Sequence, residues 1–136
     1  MSSFAIAVEK KINVLRTVEI PECKKNLEKW TKQYNHYEAG VTRYTKELDD
    51  RKAKGQTCQG VLDHLTASKN MAANFEEIMF DEQTKIHEKR MEVQRLRNAE
   101  ETALAFASGC HARLGETSII NTLDAELICI IIKTWI

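Results

Sequence analysis

Cysteine and histidine are the side chains in this sequence best suited to metal binding or nucleophilic chemistry, and their spacing is the first test. The cysteines are Cys23, Cys58, Cys110 and Cys129; the histidines are His36, His64, His87 and His111. A structural zinc site draws on closely spaced ligand pairs brought together by a tight fold. Here Cys58 and His64 lie six apart, and the adjacent Cys110 and His111 have no second pair to complete them. A cysteine nucleophile needs a base and an orienting group beside it, and Cys23, Cys58 and His64 form no such arrangement. Gly55 and Gly60 lack the lysine–serine/threonine ending of a phosphate loop. The carboxylates of Glu76-Glu77, Asp81-Glu82 and Glu100-Glu101 read as solvated helix faces. The expectation is a protein without catalytic, metal-ligating or cofactor-binding residues.

One charged cluster has a second reading. Lys24, Lys25, Lys29 and Lys32 sit close to Trp30 and Tyr34. On a helix, cations and rings together suit RNA or an anionic membrane surface. They equally suit the charged flank of a coiled coil, where lysines select partners. The chain has no net charge, and nucleic-acid binders draw most of their affinity from a basic surplus. The flank reading is therefore preferred, with the helical membrane-surface or nucleic-acid binder as its rival. The charge is also uneven. Residues 1–60 carry twelve Lys/Arg against eight Asp/Glu, a balance of +4, and residues 61–136 carry the reverse, −4.

These side chains need elements to hold them, and the composition favours helix. There is a single proline, Pro21, and only Gly40, Gly55 and Gly60 lie between it and Ser108. A sheet protein of this length would need more turn residues. Phe4, Val8, Ile12 and Leu15 recur on one face of a short first helix, residues 1–20. Pro21 then marks a break, because proline disfavours helix in the residue before it and suits a helix's first turn. From Cys23 the pattern is regular: Cys23, Leu27, Trp30, Tyr34, Tyr37, Val41, Tyr44 and Leu48 alternate spacings of 4 and 3. That is the heptad seam of a coiled coil, bulkier and more polar than a leucine zipper.

Lys54 to Gly60 is the candidate interruption. Either the rod, residues 21–108, is one long helix, straight or kinked there, or the chain turns back as a helical hairpin. The seven-residue step from Cys23 runs in phase through Arg51 and Cys58 to Leu65, Ala72, Met79, Ile86 and Val93. The phase favours the continuous rod; the opposite charges of the two halves favour the hairpin. The later seam reads Leu62, Leu65, Ala72, Phe75, Met79, Ile86, Val93, Leu96 and Ala103, with Glu82, Lys89 and Glu100 at core-type positions. Charges there lower stability and set register or partner choice. The helix is expected to end near Ala107-Ser108-Gly109.

Residues 109–136 differ in character, with an isoleucine-rich tip. Leu127 to Ile132 is the longest apolar run, six residues, against the roughly 20 that span a bilayer. This tail is expected to lie outside the seam. Charge follows the opening residues too closely for a signal peptide, so the expected setting is cytoplasmic, with reduced thiols.

Two stretches carry a family resemblance. Ile20-Pro21-Glu22-Cys23 resembles a Leu-Pro-x-Cys element, and Asp63-His64-Leu65-Thr66-Ala67-Ser68-Lys69 resembles an Asp-His-Leu-x-Ala-Ser element. Both belong to the muted-subunit family of the biogenesis of lysosome-related organelles complex one. The charged helix through about Arg97 is compatible in character. The resemblance implies a helical subunit of a hetero-oligomer in endosomal sorting and vesicle trafficking, peripheral to endosomal membranes, with no catalytic residues. The chain departs from the family pattern at Gly55 and Gly60 and again after Gly109, where unbroken helix would be expected. From the residues themselves, the expectation is an all-α, elongated coiled-coil rod that binds helical proteins, with self-association open. The seam assigned to partners is Leu27, Trp30, Tyr34, Tyr37, Val41, Tyr44 and Leu48, continued by Leu65, Phe75, Met79, Ile86 and Val93.

Overall fold

A computed structural model describes residues 3–114, with side chains through residue 106. The tail at residues 115–136, and with it the isoleucine-rich run, lies outside the described residues. Among the described residues all of the regular structure is helical: α1 (Ser3–Val14), a π-helical turn (Leu15–Glu19), α2 (Ile20–Ala53) and α3 (Gln59–Leu114). By packing, the chain divides into two units, Glu22–Ile86 and Met1–Pro21 with His87–Ile136.

The unit Glu22–Ile86 is a helical hairpin. The turn takes the second of the two courses open to the sequence, and Gly55 is the reason. Its φ is +66°, a left-handed conformation that costs an L-residue roughly 1–2 kcal/mol and glycine almost nothing. The reversal is a Schellman motif. The Gln56 amide donates to the Arg51 carbonyl at 2.9 Å, and the Gly55 amide to the Lys52 carbonyl at 3.2 Å. Both carbonyls would otherwise be orphaned at the helix end. Arg51 adds a side-chain bond to the Thr57 carbonyl at 3.2 Å while pairing with Glu47. The Leu62 amide donates to the Cys58 carbonyl at 2.9 Å, which starts α3. The heptad phase carried no information about this turn. Each arm of a hairpin needs its own 4–3 alternation, and nothing couples one arm's phase to the other's.

Beside the turn, Leu48, Val61 and Leu65 are buried together, with Val41, Tyr44 and Cys58 packed against them. Further from the turn, α2 and α3 approach closely where both side chains are small. A Cβ on Gly40 would lie 3.3 Å from the Ser68 hydroxyl oxygen. Ser68 is itself buried.

The other unit pairs α1 with the later part of α3. Val8, Ile12, Leu15 and Val93 form its core, with Phe4 and Leu96 against them. Ile12 and Leu15 are each 2% exposed, and each such burial contributes about 1.5–3 kcal/mol. Lys11 pairs with Glu92 at 2.9 Å and Glu19 with Lys89 at 3.1 Å. Moving forward along α1 moves backward along α3, so the two run antiparallel.

Pro21 does not break the helix, contrary to the sequence expectation. Proline lacks an amide hydrogen, and its ring crowds the carbonyl four residues back. The π turn just before it opens the spiral by one residue, and the Ile20 amide donates to Leu15, five residues back. That wider turn relieves the crowding. It also explains a spacing that 4–3 counting misses. Buried positions run Ala5, Val8, Ile12, Leu15 and then Ile20, and the single step of five falls on the π turn. The end of α3 likewise passes the expected stop at Gly109 and reaches Leu114. Glycine weakens a helix interior by about 1 kcal/mol, but it ends a helix only where it turns left-handed.

Gly55→Ala should lower hairpin stability by about 1 kcal/mol or more, because no backbone adjustment spares alanine the left-handed cost. Gly60 has open space around its Cβ position. Gly60→Ala should therefore raise stability by up to about 1 kcal/mol. Urea unfolding followed by circular dichroism measures both, and a shift of the same sign in the two variants would contradict the assigned turn.

Candidate interaction surface

The seam of α2 is where large side chains gather. Its arrangement follows from the 4–3 spacing, which keeps Leu27, Trp30, Tyr34, Tyr37, Val41, Tyr44 and Leu48 on one side of the helix. All face α3, but to different degrees: Leu48 is buried and the other six are only half-buried. Across the hairpin, Leu65 and Ile86 are buried, and Phe75 and Met79 are half-buried. Val93, assigned to the same seam, belongs to the core made with α1.

Phe75 organises the centre. Its ring stacks on Trp30 at 5.8 Å between centroids and on Tyr37 at 5.6 Å. Tyr44 stacks on the His64 imidazole at 5.3 Å. Offset aromatic pairs of this kind add about 0.5–1.5 kcal/mol beyond the area they bury. His36 meets Tyr37 edge-on at 5.2 Å. The Lys29 ammonium lies 4.7 Å from the centre of the Trp30 ring, and the Arg43 guanidinium 4.7 Å from that of Tyr44. Arg43 also donates to the Tyr44 hydroxyl at 2.9 Å. His36 and His64 are both exposed and both in ring contact. Tyr34 faces carboxylates instead. The charge of Glu38, then desolvation, then the charge of Glu76 push its phenol above the ordinary 10.0, and a hydrogen bond to Glu38 adds to the shift.

On α3 the seam runs Val61, Leu65, Ser68, Ala72, Phe75, Met79, Glu82 and Ile86 without a missed step, each buried or half-buried. Sequence reasoning chose Leu62 and passed over Val61 and Ser68. Leu62 is 38% exposed and Val61 is 5% exposed. The signal was present in the step of four from Val61 to Leu65, but leucine's hydrophobicity outweighed it. Glu82 and Glu100 take the core-type positions expected from spacing, not the solvated faces expected of Asp81-Glu82 and Glu100-Glu101. Glu82 is 8% exposed, one carboxylate oxygen meets Lys85 at 3.3 Å, and the other is buried without a hydrogen-bond partner among the described residues. Lys89 reaches Glu19, and Glu100 is half-buried.

Cys23 is buried and Cys58 half-buried, both as free thiols. Among the described residues, no three His, Cys, Asp or Glu side chains come together in a group suited to a metal ion.

A buried carboxylate with one oxygen unpaired costs more than it returns. Glu82→Leu should raise stability by about 1–4 kcal/mol, read as a higher urea midpoint with an unchanged slope. A lower midpoint would mean that Glu82 has a partner the geometry does not reveal. Comparison with known proteins finds no family model, no curated protein and no solved structure that matches this chain.

Proposed function

We propose that this chain is a non-enzymatic helical subunit that docks helical partner proteins along the α2–α3 hairpin. The observation that carries this reading is the incomplete burial of the aromatic seam. Leu27, Trp30, Tyr34, Tyr37, Val41 and Tyr44 occupy core positions, yet none is fully buried by α3. A pair of helices covers one stripe on each and leaves its edges open, and a third or fourth helix completes such a core. Trp and Tyr with Arg nearby are also the residues most enriched at binding hot spots. Glu82 supports the same reading, because a buried seam charge with one oxygen left without a partner among the described residues sets partner choice at a cost in stability.

The resemblance at residues 20–23 and 63–69 supports a finer setting for the partners. They are fellow subunits of a hetero-oligomer in lysosome-related organelle biogenesis, assembled in the cytoplasm or at endosomal membranes. Among the described residues, no helix is long and apolar enough to cross a membrane.

A photo-crosslinking amino acid at Thr31, beside the half-buried seam, should form adducts in cells with one or a few helical proteins. Trp30→Ala with Tyr37→Ala should reduce those adducts at least about ten-fold, since hot-spot truncations typically cost 2 kcal/mol or more. Circular dichroism checks that the variant remains helical. A helical variant that keeps all its adducts, or a wild-type chain that forms none, would contradict the reading.

A further inference from the structure

Between Lys25 and Lys46, α2 carries a cationic line, bounded at the next steps of the same alternation by Glu22 and Asp50. Lys25, Lys29, Lys32, His36, Ala39, Arg43 and Lys46 continue the 4–3 alternation outside the seam, with Lys29, His36 and Arg43 on its flank, and all are exposed. No Asp or Glu interrupts this line. Lys32 pairs with Glu28, from the neighbouring face. The remaining feature is a repeat. Lys29-Trp30, His36-Tyr37 and Arg43-Tyr44 place a basic residue beside a seam aromatic at three successive seven-residue steps. All three pairs are in ring contact. Between them, on the edge that links stripe to seam, lie Asn26 and Gln33, uncharged and exposed; at the next step Gly40 is half-buried against Ser68 of α3.

We propose that this edge of α2 receives an acidic helix, one with carboxylates at seven-residue spacing beside its own apolar stripe. The inference rests on the docking function proposed above and names the chemistry of the partner. Seven residues of helix rise about 10.5 Å, so Lys29, His36 and Arg43 meet a partner's flanking carboxylates in register only if the partner is itself a helix. Its apolar stripe then covers the open sides of Trp30, Tyr37 and Tyr44. Opposite charges at flanking positions are how coiled coils choose partners and orientation. A polyanion needs charge density without such a period, and a membrane needs apolar side chains to insert, which the cationic line lacks. A second copy of this chain is not the matching occupant. Nowhere in its sequence do carboxylates recur at three successive seven-residue steps.

The test uses the full chain with Trp135→Phe, so that fluorescence reports Trp30 alone. Two synthetic helices with the same leucine stripe are titrated, one flanked by glutamate at every seventh position and one by lysine. The glutamate helix should bind about ten-fold tighter or better at low salt, and the preference should shrink as salt rises. The triple variant Lys29→Glu, Arg43→Glu, Lys46→Glu alters only exposed side chains. It should reverse the preference while circular dichroism stays unchanged. Equal binding of both helices would overturn the acidic-partner inference and leave the docking function standing. Binding of neither would also overturn it, and the cross-linking result then decides the docking function separately. Anionic phosphatidylserine vesicles, polyadenylate RNA and sedimentation of the chain alone complete the set. Tighter binding to vesicles or RNA than to the glutamate helix would overturn the inference in favour of a polyanion, and a salt-sensitive dimer in favour of a second copy.

Discussion

A helix pair buries one stripe per helix, and everything distinctive about the Glu22–Ile86 hairpin follows from what occupies that stripe. Helices of this size gain little from propensity alone; packing of the apolar face holds them. Near the turn the stripe is aliphatic, and Leu48, Val61 and Leu65 close against one another. Further along it widens into Trp30 and Tyr37, both stacked on Phe75. Large rings stack well across a pair of helices but reach past its edges, which is why the centre of the seam is half-covered while its end is sealed. The same geometry that holds the arms together therefore leaves surface that another helix can use.

Charge inside the seam works in the opposite direction to packing. Glu82 is buried with one oxygen unpaired, and Gly40 and Ser68 give up apolar area at a close crossing. Neither strengthens the pair. Each restricts which register and which neighbours fit, the trade that coiled coils make when selectivity matters more than stability. In the unit formed by α1 and the later part of α3, the Lys89–Glu19 pair makes the same choice. There the partner comes from the opposing element, whereas Glu82 pairs only with Lys85 on its own helix and keeps one oxygen without a partner among the described residues.

The seam of α2 was legible to the residue, because each step from Cys23 to Leu48 is marked by a large or apolar side chain. Three features were hidden for physical reasons. The turn depends on the handedness of one glycine, and Gly55 and Gly60 look alike in sequence although only Gly55 adopts positive φ. The π turn hides behind Pro21, whose usual meaning is a break; only the step of five from Leu15 to Ile20 betrays it. Val61 lost to Leu62 because residue type was weighed above phase. The seam assigned to partners from the sequence lies along the chain's own hairpin. Those side chains first serve the chain's own hairpin, and what remains for a partner is their exposed edge and the cations beside it.

The hairpin stands on α2 and α3 folding back on each other through the seam. Spin labels at Asn35→Cys and Ala73→Cys, with the four native cysteines replaced by alanine, test it most directly. Both positions are exposed, so labelling leaves the seam intact. Packed helix axes lie 8–10 Å apart, and two label arms bring the expected separation to roughly 15–30 Å. In one continuous helix the same residues would stand about 57 Å apart at 1.5 Å per residue. Double electron–electron resonance separates these values without ambiguity. A single population at the short distance is the result the hairpin requires, and a dominant long distance would contradict it.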